Sequence, residues 1–139
     1  NAGLLEQQQQ QQQQTLTYYN QVSYLDEQVG RLLSALDDLG LSKDTLVVFV
    51  SDVGSAAQLH PSLHSAHSLI GDAVDVPLLM RWPGKLLLTR QMQGMASVID
   101  VPASILAAVG VNVTDLQGID LLSPIRLGRP SPRTAAIVG

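Results

Sequence analysis

The run Leu46-Val47-Val48-Phe49-Val50, ending abruptly in Ser51-Asp52-Val53-Gly54, constrains the fold more than any other stretch of this chain. Consecutive apolar residues bounded by a carboxylate and a glycine read as a buried parallel strand that delivers Asp52 to its C-terminal end. In open α/β sheets that end is where ligands bind, so the segment predicts both a fold class and the place to look for chemistry.

The preceding segment supplies the helix that such a unit needs. Tyr18, Val22, Leu25, Val29, Leu32, Leu33, Leu36 and Leu39 recur at three- and four-residue spacing, with Glu27, Gln28, Arg31, Asp37 and Asp38 between them. This is the pattern of one long amphipathic helix from Thr17. Gly40 is placed as the left-handed residue beyond its end, with Leu41 folding back in a Schellman-type stop. Ser42-Lys43-Asp44 then turns the chain into the strand. Ahead of the helix, Gln7 to Gln14 is an uninterrupted low-complexity tract that cannot build a core, so a solvated, partly helical lead-in is expected there.

After Asp52 a surface loop is expected, then a short helix capped by Ser68 and reaching Ala73 or Val74. Val76 to Trp82 is a second apolar run, stopped by Pro83-Gly84, and reads as a strand. Met95 to Ile99 reads as a short strand. Asp100-Val101-Pro102 opens a helix to about Val109, with Asp100 as its cap and Gly110 at its end. Gln117 to Asp120 reads as a turn and Leu121 to Leu127 as a short apolar segment, with a last strand expected at Ala135 to Val138. The expected organisation is a Gln-rich lead-in over 1–16, a folded portion over 17–128 and a Pro- and Arg-rich tail over 129–139.

With 139 residues and 45% hydrophobic side chains, the chain can bury the core of one globular unit. Lys and Arg number 8 against 12 Asp and Glu, a net charge of −4, and the basic residues form no stripe along the sequence. That argues against nucleic acid or an anionic membrane as partner. No apolar run approaches the roughly 18 residues of a membrane span. Cys is absent, which removes disulfides, a thiol nucleophile and thiolate metal ligands. The segment Asn1 to Glu6 has neither an initiator Met nor the features of a signal peptide, and is expected to begin an excised piece of a longer protein.

Three constellations could carry chemistry. Asp52 at a strand end suits a hard cation such as Ca²⁺, which takes oxygen ligands, or else it caps the following turn through backbone N–H groups. His60, His64 and His67 would share one face of a helix and offer Zn²⁺ three imidazoles. The serines among them are poor helix formers, however, and the Glu of an HExxH motif is missing, which favours loop histidines. Ser51, Ser55 or Ser68 with a histidine and Asp52 would make a nucleophilic triad, but no G-x-S-x-G elbow is present. Asn112-Val113-Thr114 is a glycosylation acceptor pattern, one that also arises by chance.

A longer pattern joins these pieces. Tyr18-Tyr19-x-x-Val22-Ser23-Tyr24-Leu25-Asp26-x-Gln28-Val29-Gly30-Arg31-Leu32-Leu33 is followed in order by the strand into Ser51-Asp52, then His67-Ser68-Leu69, Val76-Pro77-Leu78 and Arg81-Trp82-Pro83-Gly84-Lys85. The pattern resembles the sulfatase family of the alkaline-phosphatase-like superfamily, iduronate-2-sulfatase-type members above all, from about Tyr18 to Gly128. The resemblance implies an α/β fold with a mostly parallel or mixed sheet flanked by helices. It also implies hydrolysis of sulfate esters by a formylglycine made in a C/S-x-P-x-R motif, with a divalent cation, usually Ca²⁺, holding the sulfate. By the same resemblance Asp52 is a metal ligand and His67 a substrate-binding residue, and the parent protein is secretory, lysosomal or extracellular.

The sequence departs from that pattern at several points. The family's Asp-His-Gly or Asp-Asn-Gly reads Asp52-Val53-Gly54, its sulfate-contacting Lys falls at Ala66, and its Glu and Arg fall at Gly71 and Asp75. Leu122-Ser123-Pro124-Ile125-Arg126 imitates the modification motif with Leu122 in the nucleophile's place, and matches an ordinary stretch of the family instead. The expectation is a C-terminal portion of a sulfatase catalytic domain, inactive alone and with no catalytic residue of its own. The alternatives are a non-catalytic, sulfatase-derived interaction module and a histidine-based metal-binding domain. Strand edges left uncovered would favour self-association.

Overall fold

A computed structural model of the chain describes residues 2–52, 54, 74–86, 91–111 and 115–136. The chain divides into two compact units, one made of Asn1–Leu41 with Val53–Val76, the other of Ser42–Asp52 with Pro77–Gly139.

In the first unit the described structure is dominated by helix α1, Ala2–Asp38. It runs without interruption through the Gln tract, whose long unbranched side chains cost little in a helix, so the lead-in is helical throughout. Of the predicted apolar stripe, Tyr18, Val29, Leu33 and Leu36 are half-buried, while Val22, Leu25, Leu32 and Leu39 are exposed. The helix stops as the sequence predicts. Gly40 takes φ 70°, its N–H donates to the Asp37 carbonyl at 3.0 Å, and the Leu41 N–H donates to the Leu36 carbonyl at 2.9 Å. This is the bond pair of a Schellman motif.

The second unit begins with a single 3₁₀ turn, Ser42–Asp44, leading into strand β1, Val47–Val50. Strand β2, Leu78–Arg81, lies inside the second apolar run and pairs with β1 in the register Val47↔Arg81 to Val50↔Leu78. This pairing is antiparallel, so the expected parallel partner for β1 is not what the described residues show. Nor is β1 deeply buried: Val47 to Phe49 are half-buried and Val50 is exposed. An antiparallel pair tolerates one wetted face, and Leu79 points to solvent accordingly.

Two helices follow, α2, Asp100–Ala108, and α3, Leu122–Leu127. Both end as α1 does. Gly110 and Gly128 have φ 78° and 66°, the Val111 N–H donates to the Leu106 carbonyl, and the Arg129 N–H donates to the Pro124 carbonyl. The strand expected at Met95 to Ile99 is reduced to one antiparallel bridge, Met95↔Arg133. Its continuation is consumed by backbone bonds from Asp100 to Ser97 and from Val101 to Val98, which turn the chain into α2. Residues 135–136 of the last expected strand are irregular, and the rest of it lies outside the described residues.

The most buried side chains of this unit are Leu121, Leu122, Asp100 and Ser104. Gly118 makes their packing feasible. A β-carbon on it would sit 2.0 Å from the Ile99 carbonyl oxygen, so only glycine lets the loop approach the start of α2.

Candidate functional site

Asp52 lies one residue beyond the end of β1, after Ser51, and is exposed. The Ser51 N–H donates to the Pro77 carbonyl at 3.3 Å, which extends the β1–β2 ladder by one bond and fixes the point from which Asp52 emerges. Its carboxylate is a hard oxygen donor, suited to a cation as one ligand of several. Among the described residues no three His, Asp or Glu side chains gather closely enough to share an ion. Asp75, where the family pattern has a basic residue, is exposed. Val53, Ala66, Gly71, His60, His64, His67 and Ser68 lie outside the described residues, as does the Asn112-Val113-Thr114 pattern.

Leu122, the residue in the nucleophile's place of the imitation motif, is 1% exposed and belongs to α3. It is a core residue. The carboxylate of Asp120 caps that helix, accepting from the backbone N–H of Leu122 at 2.8 Å and of Ser123 at 3.3 Å. Asp120 thereby satisfies donors that a helix start leaves open.

Asp100 does not act as the simple helix cap predicted for it. It is wholly buried and gathers distant segments instead. Its Oδ2 accepts from the Ser97 N–H at 2.9 Å and from Arg133 Nε at 2.8 Å. Its Oδ1 accepts from the Ile119 N–H at 2.9 Å and from Arg133 Nη2. Ser104 completes the network, donating to the Asp100 carbonyl at 2.7 Å and accepting from the Leu121 N–H at 3.0 Å. Burial alone would raise the Asp100 carboxyl. The hydrogen bonds from Arg133, Ile119 and Ser97 and the charge of Arg133 outweigh it and hold the group below the ordinary value of 3.8. The hydrogen bond to Asp100, and then the charge of that carboxylate, raise Arg133 in turn. Sequence reading missed this network, because its only local signal, an Asp ahead of Val-Pro, is also the signal of a cap.

A model of the sulfatase family matches residues 4–111, most of the chain and including Asp52. The chain belongs to the sulfatase family. Human iduronate 2-sulfatase is 48% identical over 69 residues, covering 50% of this chain and 12% of that protein. Mouse N-acetylgalactosamine-6-sulfatase is 28% identical over 127 residues, covering 84% of this chain and 24% of the relative. Mouse steryl-sulfatase is 32% identical over 124 residues, covering 78% and 20%. This sulfatase chain thus spans a quarter or less of the length of these relatives. Family membership bears out the sequence resemblance, iduronate-2-sulfatase type included, and implies an alkaline-phosphatase-like fold. No helix among the described residues is long and apolar enough to cross a membrane.

Proposed function

We propose that this chain is the C-terminal part of the catalytic domain of a sulfuric ester hydrolase, with Asp52 as one ligand of a divalent cation and His67 at the sulfate. The observation that carries the reading is the exposed Asp52 carboxylate leaving the end of β1 within the stretch matched by the family model. Ca²⁺ fits an oxygen donor of this kind, and when bound it supplies positive charge for a sulfate oxygen. Asp52 contributes the rigid backbone anchor, since Ser51 is tied to Pro77. The His67 imidazole would donate to a sulfate oxygen. A secretory or lysosomal location for the parent goes with this reading.

The chain by itself is proposed to be inactive, because no C/S-x-P-x-R motif occurs in its 139 residues. The test uses the longest natural protein containing this segment, assayed on an aryl sulfate with Ca²⁺ present. Asp52→Asn should lower turnover by at least about 100-fold, in line with loss of a group that holds the catalytic charge. Unchanged turnover in that variant overturns the assignment of Asp52, and turnover by the isolated chain overturns its inactivity.

A second reading, a non-catalytic sulfatase-derived interaction module, draws support from Val53, Ala66 and Asp75, where an apolar residue, a neutral residue and a reversed charge replace the family's polar and basic groups. A parent protein that binds neither Ca²⁺ nor sulfate would favour it. Tight Zn²⁺ binding lost in His64→Ala would instead favour the histidine-based metal domain.

A further inference from the structure

Along helix α1 the apolar residues repeat with a period of seven. Tyr18, Leu25, Leu32 and Leu39 stand at successive d positions of a heptad, and Val22, Val29 and Leu36 at the a positions between them. A straight α-helix drifts about 20° per heptad away from such a repeat, so a row kept in strict register suits a partner helix wound around it. The d row is open to solvent: Leu25, Leu32 and Leu39 are 49%, 57% and 71% exposed, and Val22 beside them 44%. Val29 and Leu36, on the other border of the seam, are half-buried.

Charge is kept away from the same seam. Glu6 and Glu27 fall at the outermost f positions, Arg31 and Asp38 at c and Asp37 at b, so among the charged residues of α1 only Asp26 flanks the seam. The register also runs back through the Gln tract, with Gln8 at a, Gln11 at d and Leu4 at the d position before it. Gln7 to Gln14 are helical yet exposed, and in water a helix draws most of its stability from the packing of one face. A second helix alongside supplies that packing.

We propose that α1 is a dimerisation helix, its exposed row covered by α1 of a second copy of this chain in a parallel two-stranded coiled coil. Val at two a positions with Leu at d is the combination that favours two parallel strands. In that arrangement Asp26 at e faces Gln21 at g of the other copy, and no like charges oppose each other. The 37 residues of α1 span roughly 55 Å, and a contact strip about 10 Å wide buries roughly 1,100 Å² over both helices, near the lower limit of specific interfaces. A dimer in the micromolar range follows. A lipid surface would call for Lys and Arg along the polar face, where α1 has Arg31 alone. The proposal stands apart from the sulfate-ester reading, and it places self-association on α1 instead of the strand edges.

The test is sedimentation velocity of the whole chain from about 1 to 100 μM, where a micromolar dimer passes from monomer to dimer. Leu25→Glu/Leu32→Glu should stay monomeric throughout, with the fluorescence of Trp82, which lies outside α1, unchanged. Because the chain has no Cys, single introduced thiols report the geometry. Under mild oxidation Leu32→Cys, at d, should cross-link to its counterpart at least about tenfold faster than Ser34→Cys, at f, since only the seam brings two equivalent β-carbons within disulfide reach. A wild-type chain that stays monomeric, which would leave the face to another part of the parent protein, overturns the proposal. So does a dimer that survives the double substitution, or equal cross-linking of the two Cys variants.

Discussion

Arg133 and Asp100, 33 residues apart in sequence, meet in a two-pronged ion pair, the guanidinium Nε and Nη2 each donating to a different carboxylate oxygen. The Pro- and Arg-rich C-terminal segment is thereby fastened to the start of α2. Because the same carboxylate also holds the N–H groups of Ser97 and Ile119, removing Arg133 loosens three segments at once. Arg133→Ala should accelerate hydrogen exchange at the Ile119 and Ser97 amides by at least about tenfold. Arg133→Lys should restore only part of the protection, because an ammonium group cannot reproduce the fork. Unaltered exchange at both amides would show that the pair does not hold the segments together.

The pair also has a defined pH dependence. The Asp100 carboxyl is lower in the folded chain than its ordinary 3.8, so the unfolded chain takes up a proton first as pH falls. The stabilisation is fully present above that ordinary value and is lost as pH drops through the lower folded one. The stability difference between wild type and Asp100→Asn should therefore stay constant from neutral pH to about 5, then shrink below about 4. Denaturant midpoints measured across that range check it. A difference that disappears between pH 7 and 5 would mean that Asp100 titrates higher than its contacts dictate.

Gly118→Ala and Gly30→Ala should have opposite signs. At Gly118 the added methyl meets the Ile99 carbonyl oxygen at 2.0 Å and must push the backbone aside, at a cost of about 1–3 kcal/mol or more. At Gly30, inside α1, nothing lies within 4 Å, and alanine should stabilise the helix by roughly 0.5–1 kcal/mol. Urea unfolding of the two variants, followed by circular dichroism, separates them.

Ser104→Ala should be costly for a substitution that removes one oxygen. The hydroxyl stands between the Asp100 carbonyl and the Leu121 N–H in a fully buried position. Alanine leaves the Leu121 N–H without its partner, a loss of about 1–3 kcal/mol. A chemical-denaturation midpoint unchanged from wild type would show that the loop before α3 finds another acceptor.

The sequence by itself determined the features that local physics decides. The three- and four-residue spacing from Tyr18 to Leu39 and the glycines at 40 and 110 name helices and their stops, because helix periodicity and the left-handed conformation are settled within a few residues. The ordered family pattern from Tyr18 onward was legible too, and it led to Asp52 as the residue on which the functional reading turns. The direction of the strand next to β1, the role of Asp100 and the contacts of Trp82 with the Lys43 carbonyl and the Arg126 guanidinium were not legible. The antiparallel register joins Val47 to Arg81, Arg133 reaches back 33 residues, and Trp82 reaches back 39 to the Lys43 carbonyl. An apolar run reports that a strand will be covered, and an Asp before a helix reports that N–H groups need an acceptor. Which partner comes depends on how the whole chain closes on itself, and only the tertiary structure decided that.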